Sequence, residues 1–179
     1  LAATGALLAA GAAPRAFANN RTVRILVGFP PGGGTDAIAR TLAEKLKDEL
    51  GASVVVENRP GAGGQIAAQA LKSAAPDGNT LFLSHDHTIS ILPQVVKTPG
   101  FDPAKDFVPV AGFATFVNAL ALSAWTPQRD FRAWVGAVRL QSGGRSAVGI
   151  PAPASVPEFL VKAIARANQL DLVAPPYRG

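Results

Sequence analysis

Gly28-Phe29-Pro30-Pro31-Gly32-Gly33-Gly34-Thr35-Asp36 lies between two segments of different period. Before it, Val23-Arg24-Ile25-Leu26-Val27 is an apolar run with the length of a buried strand. After it, Ile38, Leu42, Leu46 and Leu50 recur at spacing four, which predicts one face of a helix. A glycine-rich turn from strand to helix presents backbone N–H groups at the positive end of the helix dipole, a place for an anion. Pro30 and Pro31 carry no N–H, so the donors start at Gly32 and run through Gly33, Gly34 and Thr35.

A second loop of this kind follows. Ser53 to Glu57 reads as a strand, Asn58-Arg59-Pro60-Gly61-Ala62-Gly63-Gly64 as its exit, and Gln65 to Ala75 as the next helix, with Ala67, Ala70, Leu71 and Ala74 on its small face. Pro76-Asp77-Gly78-Asn79 marks a turn, and Thr80 to Ser84 a third strand. Strand–helix–strand–helix–strand predicts a parallel sheet. Both glycine loops, and Ser84 and His85 at the third strand's exit, then lie at the carboxyl ends of the strands, where such sheets bind ligands. Two N–H-presenting loops side by side predict a cradle for a carboxylate or phosphate.

The chain has 179 residues, a net charge of +5 and no cysteine. That length can bury a core. A disulfide framework, a thiolate nucleophile and a thiolate metal site are excluded. Lys and Arg are scattered and aromatics few, which argues against a nucleic-acid surface. Leu1 to Ala13 is a run of small apolar residues, and Ala16-Phe17-Ala18 fits a small-x-small cleavage pattern. Residues 1–18 read as the remnant of a secretory signal, too short to span a bilayer, with cleavage expected after Ala18.

Pro93 to Pro109 reads as irregular, anchored by Phe101 and Phe107. Val108 to Phe113 and Asn118 to Leu122 read as further strands. A boundary is expected at Ser123 to Pro127, dividing a first lobe over 19–122 from a second over 123–179. In the second lobe Thr126-Pro127 reads as a helix start, Ser146 to Ile150 as a strand, Val156 to Asn168 as a helix and Asp171 to Val173 as a strand, with Trp125 and Trp134 expected in the core.

Val27 to Asp36, Val55 to Gly64, Pro76 to Leu81, Phe101 to Val110 and Pro176-Tyr177-Arg178-Gly179 together resemble, in order and spacing, the Bug-type periplasmic receptors of tripartite tricarboxylate transporters. The resemblance covers about Val23 to Gly179. It implies an α/β, two-lobe periplasmic-binding-protein-like fold whose lobes close on a small carboxylate without catalysis or cofactor. It also implies a monomer that delivers its ligand to a membrane permease from the periplasm. The family is longer, so the sequence reads as a first lobe nearly complete and a second lobe in part. The expected ligand-binding set is Phe29, Gly32, Gly33, Gly34, Thr35, Asp36, Gly63, Gly64, Ser84, His85, Ser155, Tyr177 and Arg178. Two departures stand out. Pro151-Ala152-Pro153-Ala154-Ser155 replaces a glycine- and threonine-rich loop, keeping one hydroxyl, and His85-Asp86-His87 replaces small residues.

A dinucleotide-binding oxidoreductase domain is the competing reading. Gly32-x-Gly34-x-x-Ala37 fits that fingerprint, and Glu57 stands about where a ribose-binding acid belongs. The prolines that lengthen the turn and the second glycine loop argue against it. His85 and His87, two apart on an extended segment, diverge and have no identifiable third partner, so they are expected to line or rim the cleft and not to hold a metal.

Overall fold

The computed structural model describes residues 21–177. The expected signal segment and its expected cleavage site, and Arg178 and Gly179, lie outside the described residues.

Strand β1 (Thr22–Val27) is the centre of a parallel sheet, flanked by β2 (Ser53–Asn58) and β3 (Thr80–Leu83) in the order β2-β1-β3. Ile25 lies opposite Val56 on one side and Leu81 on the other. A central strand is covered on both faces, which is why Val23, Ile25, Leu26 and Val27 have almost no exposure and read as a continuous apolar run. Ile25 and Val27 pack against helix α1 (Gly34–Leu50) together with Leu42, Leu46, Val54 and Val56. Helix α2 (Gln65–Lys72) packs against β3 and β1.

Only the middle of the spacing-four stripe packs on the sheet, through Leu42 and Leu46. Ala39 and Ala43 are buried, whereas Ile38 and Leu50 are 42% and 43% exposed. Small side chains let the helix axis approach the sheet closely, and the leucines then fill the flanks. The same holds for α2, where Ala67 and Ala68 are fully buried and the helix ends at Lys72, short of Ala75.

The chain leaves β1 to reach β2 on one side, then crosses back past β1 to form β3. The winding reverses between β1 and β3, so their exit segments, 28–33 and 84–87, lie at the switch point on the carboxyl edge, where such sheets bind ligands. Beyond β3 come a wide helical turn (His87–Ile91) and two short helices, α3 (Leu92–Val95) and α4 (Pro103–Asp106). Phe101 is buried and stacks on Phe107 at 5.6 Å, anchoring this irregular stretch.

Residues 107–123 form no strand, contrary to the reading of 108–113 and 118–122. Val108, Val110 and Val117 are more than 80% exposed. An apolar run becomes a strand only beside a ladder partner, and among the described residues none runs along this segment.

The following unit has its own parallel pair, β4 (Arg145–Ala147) beside β5 (Asp171–Val173), extended by a bridge from Ile150 to Pro176. Helices α5 (Phe131–Ser142) and α6 (Val156–Asn168) accompany it, and Trp134, Val135, Val138 and Leu170 form its core. Helix α5 starts at the Asp130 cap and not at Thr126-Pro127, because the Asp130 carboxylate accepts the Ala133 N–H at 2.7 Å. Trp125, expected in the core, is 94% exposed. No helix among the described residues is long and apolar enough to cross a membrane.

Candidate functional site

A cleft of about 670 Å³ opens at the carboxyl edge of the first sheet, between it and the second unit. The β1 exit contributes Gly28, Phe29 and Pro30, and the β2 exit Pro60 to Gly63 and Gln65. His87, Leu92 and Val96 form the floor, and the second unit closes the far wall with Pro151 to Ala154, Pro176 and Tyr177.

The two glycine loops are built differently. In the first, Gly32 has φ +88° and donates its N–H to Asp36 Oδ2 at 2.9 Å. Asp36 is buried at the start of α1, and its carboxylate also accepts from Arg40 Nε (2.9 Å), Arg40 Nη2 (3.0 Å) and Asn58 Nδ2 (2.9 Å). The Arg40 hydrogen bonds, then those of Gly32 and Asn58, hold the Asp36 carboxyl far below the usual carboxylate range. Asn58 donates to the Phe29 carbonyl at 3.1 Å as well. Asp36 is therefore a latch that ties the loop to α1 and to the end of β2. The cap position, Gly33, offers no side-chain oxygen, so the N–H groups of Gly34 and Thr35 in the first turn have no acceptor within the helix. These residues lie in the cleft-bounding loop, but not on the cleft wall.

In the second loop four successive residues, Gly61 to Gly64, have positive φ, including Ala62 at +47°. Gly61, at φ +137°, has a conformation that side chains do not tolerate. The Gly64 N–H turns inward to the Gly61 carbonyl (3.0 Å), and Thr88 Oγ1 donates to the Gly63 carbonyl at 2.8 Å. Gly64 is buried against Thr88, so Gly63, and not Gly64, faces the cleft. A side chain on Gly63 would overlap His87 Nε2.

The β3 exit joins the two loops. The His85 ring stacks on Phe29 with centroids 4.9 Å apart, and the His87 ring lies 6.3 Å from that of His85. His87 is only 4% exposed, yet neither of its ring nitrogens has a hydrogen-bond partner, nor does His85 Nδ1. Burial pushes both imidazoles below their ordinary pKa. For His87 the neighbouring His85 adds to the effect and Asp86 opposes it. Among the described residues no three of His, Cys, Asp or Glu come together as metal ligands would.

In the second unit Ser155 caps α6. Its hydroxyl donates to the Ala152 carbonyl at 2.6 Å, and the Glu158 carboxylate accepts the Ala154 N–H. The Ser155 oxygen also accepts the Glu158 N–H at 3.5 Å, a variant of the capping box in which the glutamate reaches the residue before the cap, and Ser155 is left buried behind the wall. Of the expected set, Phe29, Gly63 and Tyr177 line the cleft. Gly32, Gly33, Gly34, Thr35 and Asp36 stand beside it, Gly64, Ser84, His85 and Ser155 behind it, and Arg178 lies outside the described residues. The sequence placed His87 at the cleft without a role and singled out the 151–155 loop, but gave no place there to Gln65, Leu92 and Val96. Only Gln65, adjacent to the glycine loop, carried a signal.

Among the described residues the cleft wall is mostly backbone, proline and apolar side chain, with no Lys, Arg, Asp or Glu. The dinucleotide reading finds no support here. Glu57, its expected ribose ligand, is paired with Arg59 at 2.7 Å and Arg24 at 3.7 Å.

Residues 38–179 match the tripartite tricarboxylate transporter family receptor, TctC. A relative from Pseudomonas sp. (strain P51), a UPF0065 protein of the tcbD-tcbE intergenic region, is 33% identical over 89% of this chain and 47% of its own length. Among solved structures, R. palustris Rpa4515 with adipate superposes with a TM-score of 0.83 at 30% identity, covering 90% of this chain and 54% of that one. MatC from Rhodopseudomonas palustris with bound malate gives a TM-score of 0.68 at 27% identity, covering 89% and 54%. The chain thus spans about half the length of the relatives it matches.

Proposed function

The chain belongs to the tripartite tricarboxylate transporter receptor family, and on that premise we propose that it captures a small carboxylate in the cleft between its two units, without catalysis, and presents it to a membrane permease from the periplasm. The units are divided near Ser123. The observation that carries this reading is the cleft itself. It sits at the crossover of a parallel sheet, between two glycine loops and the 151–154 segment, where backbone groups can reach a ligand that side chains would block. Phe29, Gly63 and Tyr177 are the proposed contacts. Relatives of this fold have been solved with adipate and with malate, and both are small dicarboxylates.

A thermal-shift panel of malate, adipate, succinate and citrate tests it, with NAD as the contrary probe. A ligand at a hundred times its Kd stabilises by about 2.7 kcal/mol, which for a protein of this size raises Tm by about 5–10 °C. A rise with a carboxylate and none with NAD is expected. No rise with any carboxylate, or a rise with NAD alone, overturns the proposal.

A further inference from the structure

Resting on the proposed carboxylate cleft, we infer that His87 is a titrating cation of that site, taking up one proton from solvent as the anionic ligand enters, so that capture is proton-coupled. Of the described residues that wall the cleft, His87 is the one whose side chain can carry positive charge. It is also nine-tenths buried, and both ring nitrogens are left without a partner by the protein. Leaving a buried polar atom unpaired is costly, and native structures rarely do so without a reason. A carboxylate placed against the ring supplies both the missing acceptor and the missing counter-charge.

The surroundings make the ring a titrating group and not a fixed one. On its own segment it faces His85 at 6.3 Å and Asp86, whose Oδ1 accepts the His87 backbone N–H at 2.8 Å. The Gly61–Gln65 loop, the β1 exit (Gly28 to Pro30) and Leu92 and Val96 bring no ionisable side chain to the cleft. The second unit brings the Tyr177 phenol. Without ligand, desolvation keeps His87 neutral near pH 7. A bound carboxylate favours the protonated ring and raises its pKa. Affinity is therefore lowest above the ligand-bound pKa, rises as pH falls through it, and levels off below the ligand-free pKa.

The experiment is calorimetric titration of the protein with adipate and with malate between pH 5.5 and 8. One coupled proton changes affinity by at most about tenfold per pH unit, and the second carboxyl of each diacid begins to protonate at the acid end of this range, which works against the effect of His87. Binding roughly three- to thirtyfold tighter at pH 5.5 than at pH 7.5 is expected. H87Q, which keeps an N–H donor but cannot titrate, should flatten the profile to within about twofold. A guanidinium does not titrate here, so an arginine contact cannot mimic the effect. Wild-type protein titrated at pH 6.5 in phosphate and in Tris gives a second reading independent of any variant, since proton uptake makes the observed heat depend on the buffer. Binding that is pH-invariant, a buffer-independent heat, or an unchanged profile in H87Q refutes the role of His87 and leaves the carboxylate reading standing. No binding of either acid at any pH refutes both.

Discussion

Replacing Gly64 with alanine should destabilise the protein by far more than the loss of one glycine normally implies. Gly64 has φ +92°, a conformation that costs an L-residue about 1–3 kcal/mol. The new Cβ would lie 2.5 Å from Thr88 Oγ1 and 3.1 Å from its Cγ2. Thr88 is fully buried and cannot swing out to solvent, so its hydroxyl must release the Gly63 carbonyl it now holds at 2.8 Å. Leaving that carbonyl unpaired costs about 1–3 kcal/mol more, for a total of about 2–6 kcal/mol. Urea denaturation of wild type, G64A, T88A and the double variant measures it. T88A alone should cost about 1–3 kcal/mol, and the double variant should cost no more than G64A, because the clash and the hydrogen bond are the same contact. The shortfall from additivity is then about 1–3 kcal/mol. G64A within about 0.5 kcal/mol of wild type, or a strictly additive cycle, refutes the packing of the second glycine loop on Thr88.

Three further outcomes follow from the same contacts. The Asp36 carboxyl titrates lower in the folded than in the unfolded chain, so its stabilisation is complete above the unfolded value of about 3.9 and is lost as pH falls through the folded one. D36N should therefore have a lower urea midpoint than wild type at pH 7, and the gap should narrow in strong acid; a gap that is constant with pH contradicts the latch. S155A removes the α6 cap and should cost about 0.5–2 kcal/mol by the same denaturation, unless the Ser155–Glu158 box is not formed. W134A should cost about 3–5 kcal/mol and W125A less than about 0.5, read from paired Tm values; similar losses would mean the two tryptophans are placed wrongly.

The first sheet was legible because its signals are local. A buried run, a glycine turn and a helix pattern stand within thirty residues of each other, twice, and each agrees with its neighbour. The segment 107–123 was not, because alternating apolar residues specify a strand only when a partner strand exists, and that is a tertiary fact. Helix α5 shows a competition between two local signals, Thr126-Pro127 and Asp130, which the Asp130–Ala133 hydrogen bond decides. At the site, glycine spacing located both loops but not which residue faces the cleft. Gly63 faces it and Gly64 does not, because Thr88, remote in sequence, occupies the other side. Asp36 reads as part of a ligand motif, and only Arg40 and Asn58 converging on it show a structural latch. The Ser155-x-x-Glu158 spacing is a helix-start signal, and it accounts for the Ser155 hydroxyl as a cap.

The most direct measurement of the central claim is amide chemical-shift mapping of the labelled protein during titration with malate and with adipate. Saturating shifts should concentrate on Phe29, Gly63, His87, Ala152 and Tyr177, from both walls of the cleft at once. Binding that shifts amides elsewhere and leaves Gly63 and Phe29 unmoved would contradict it.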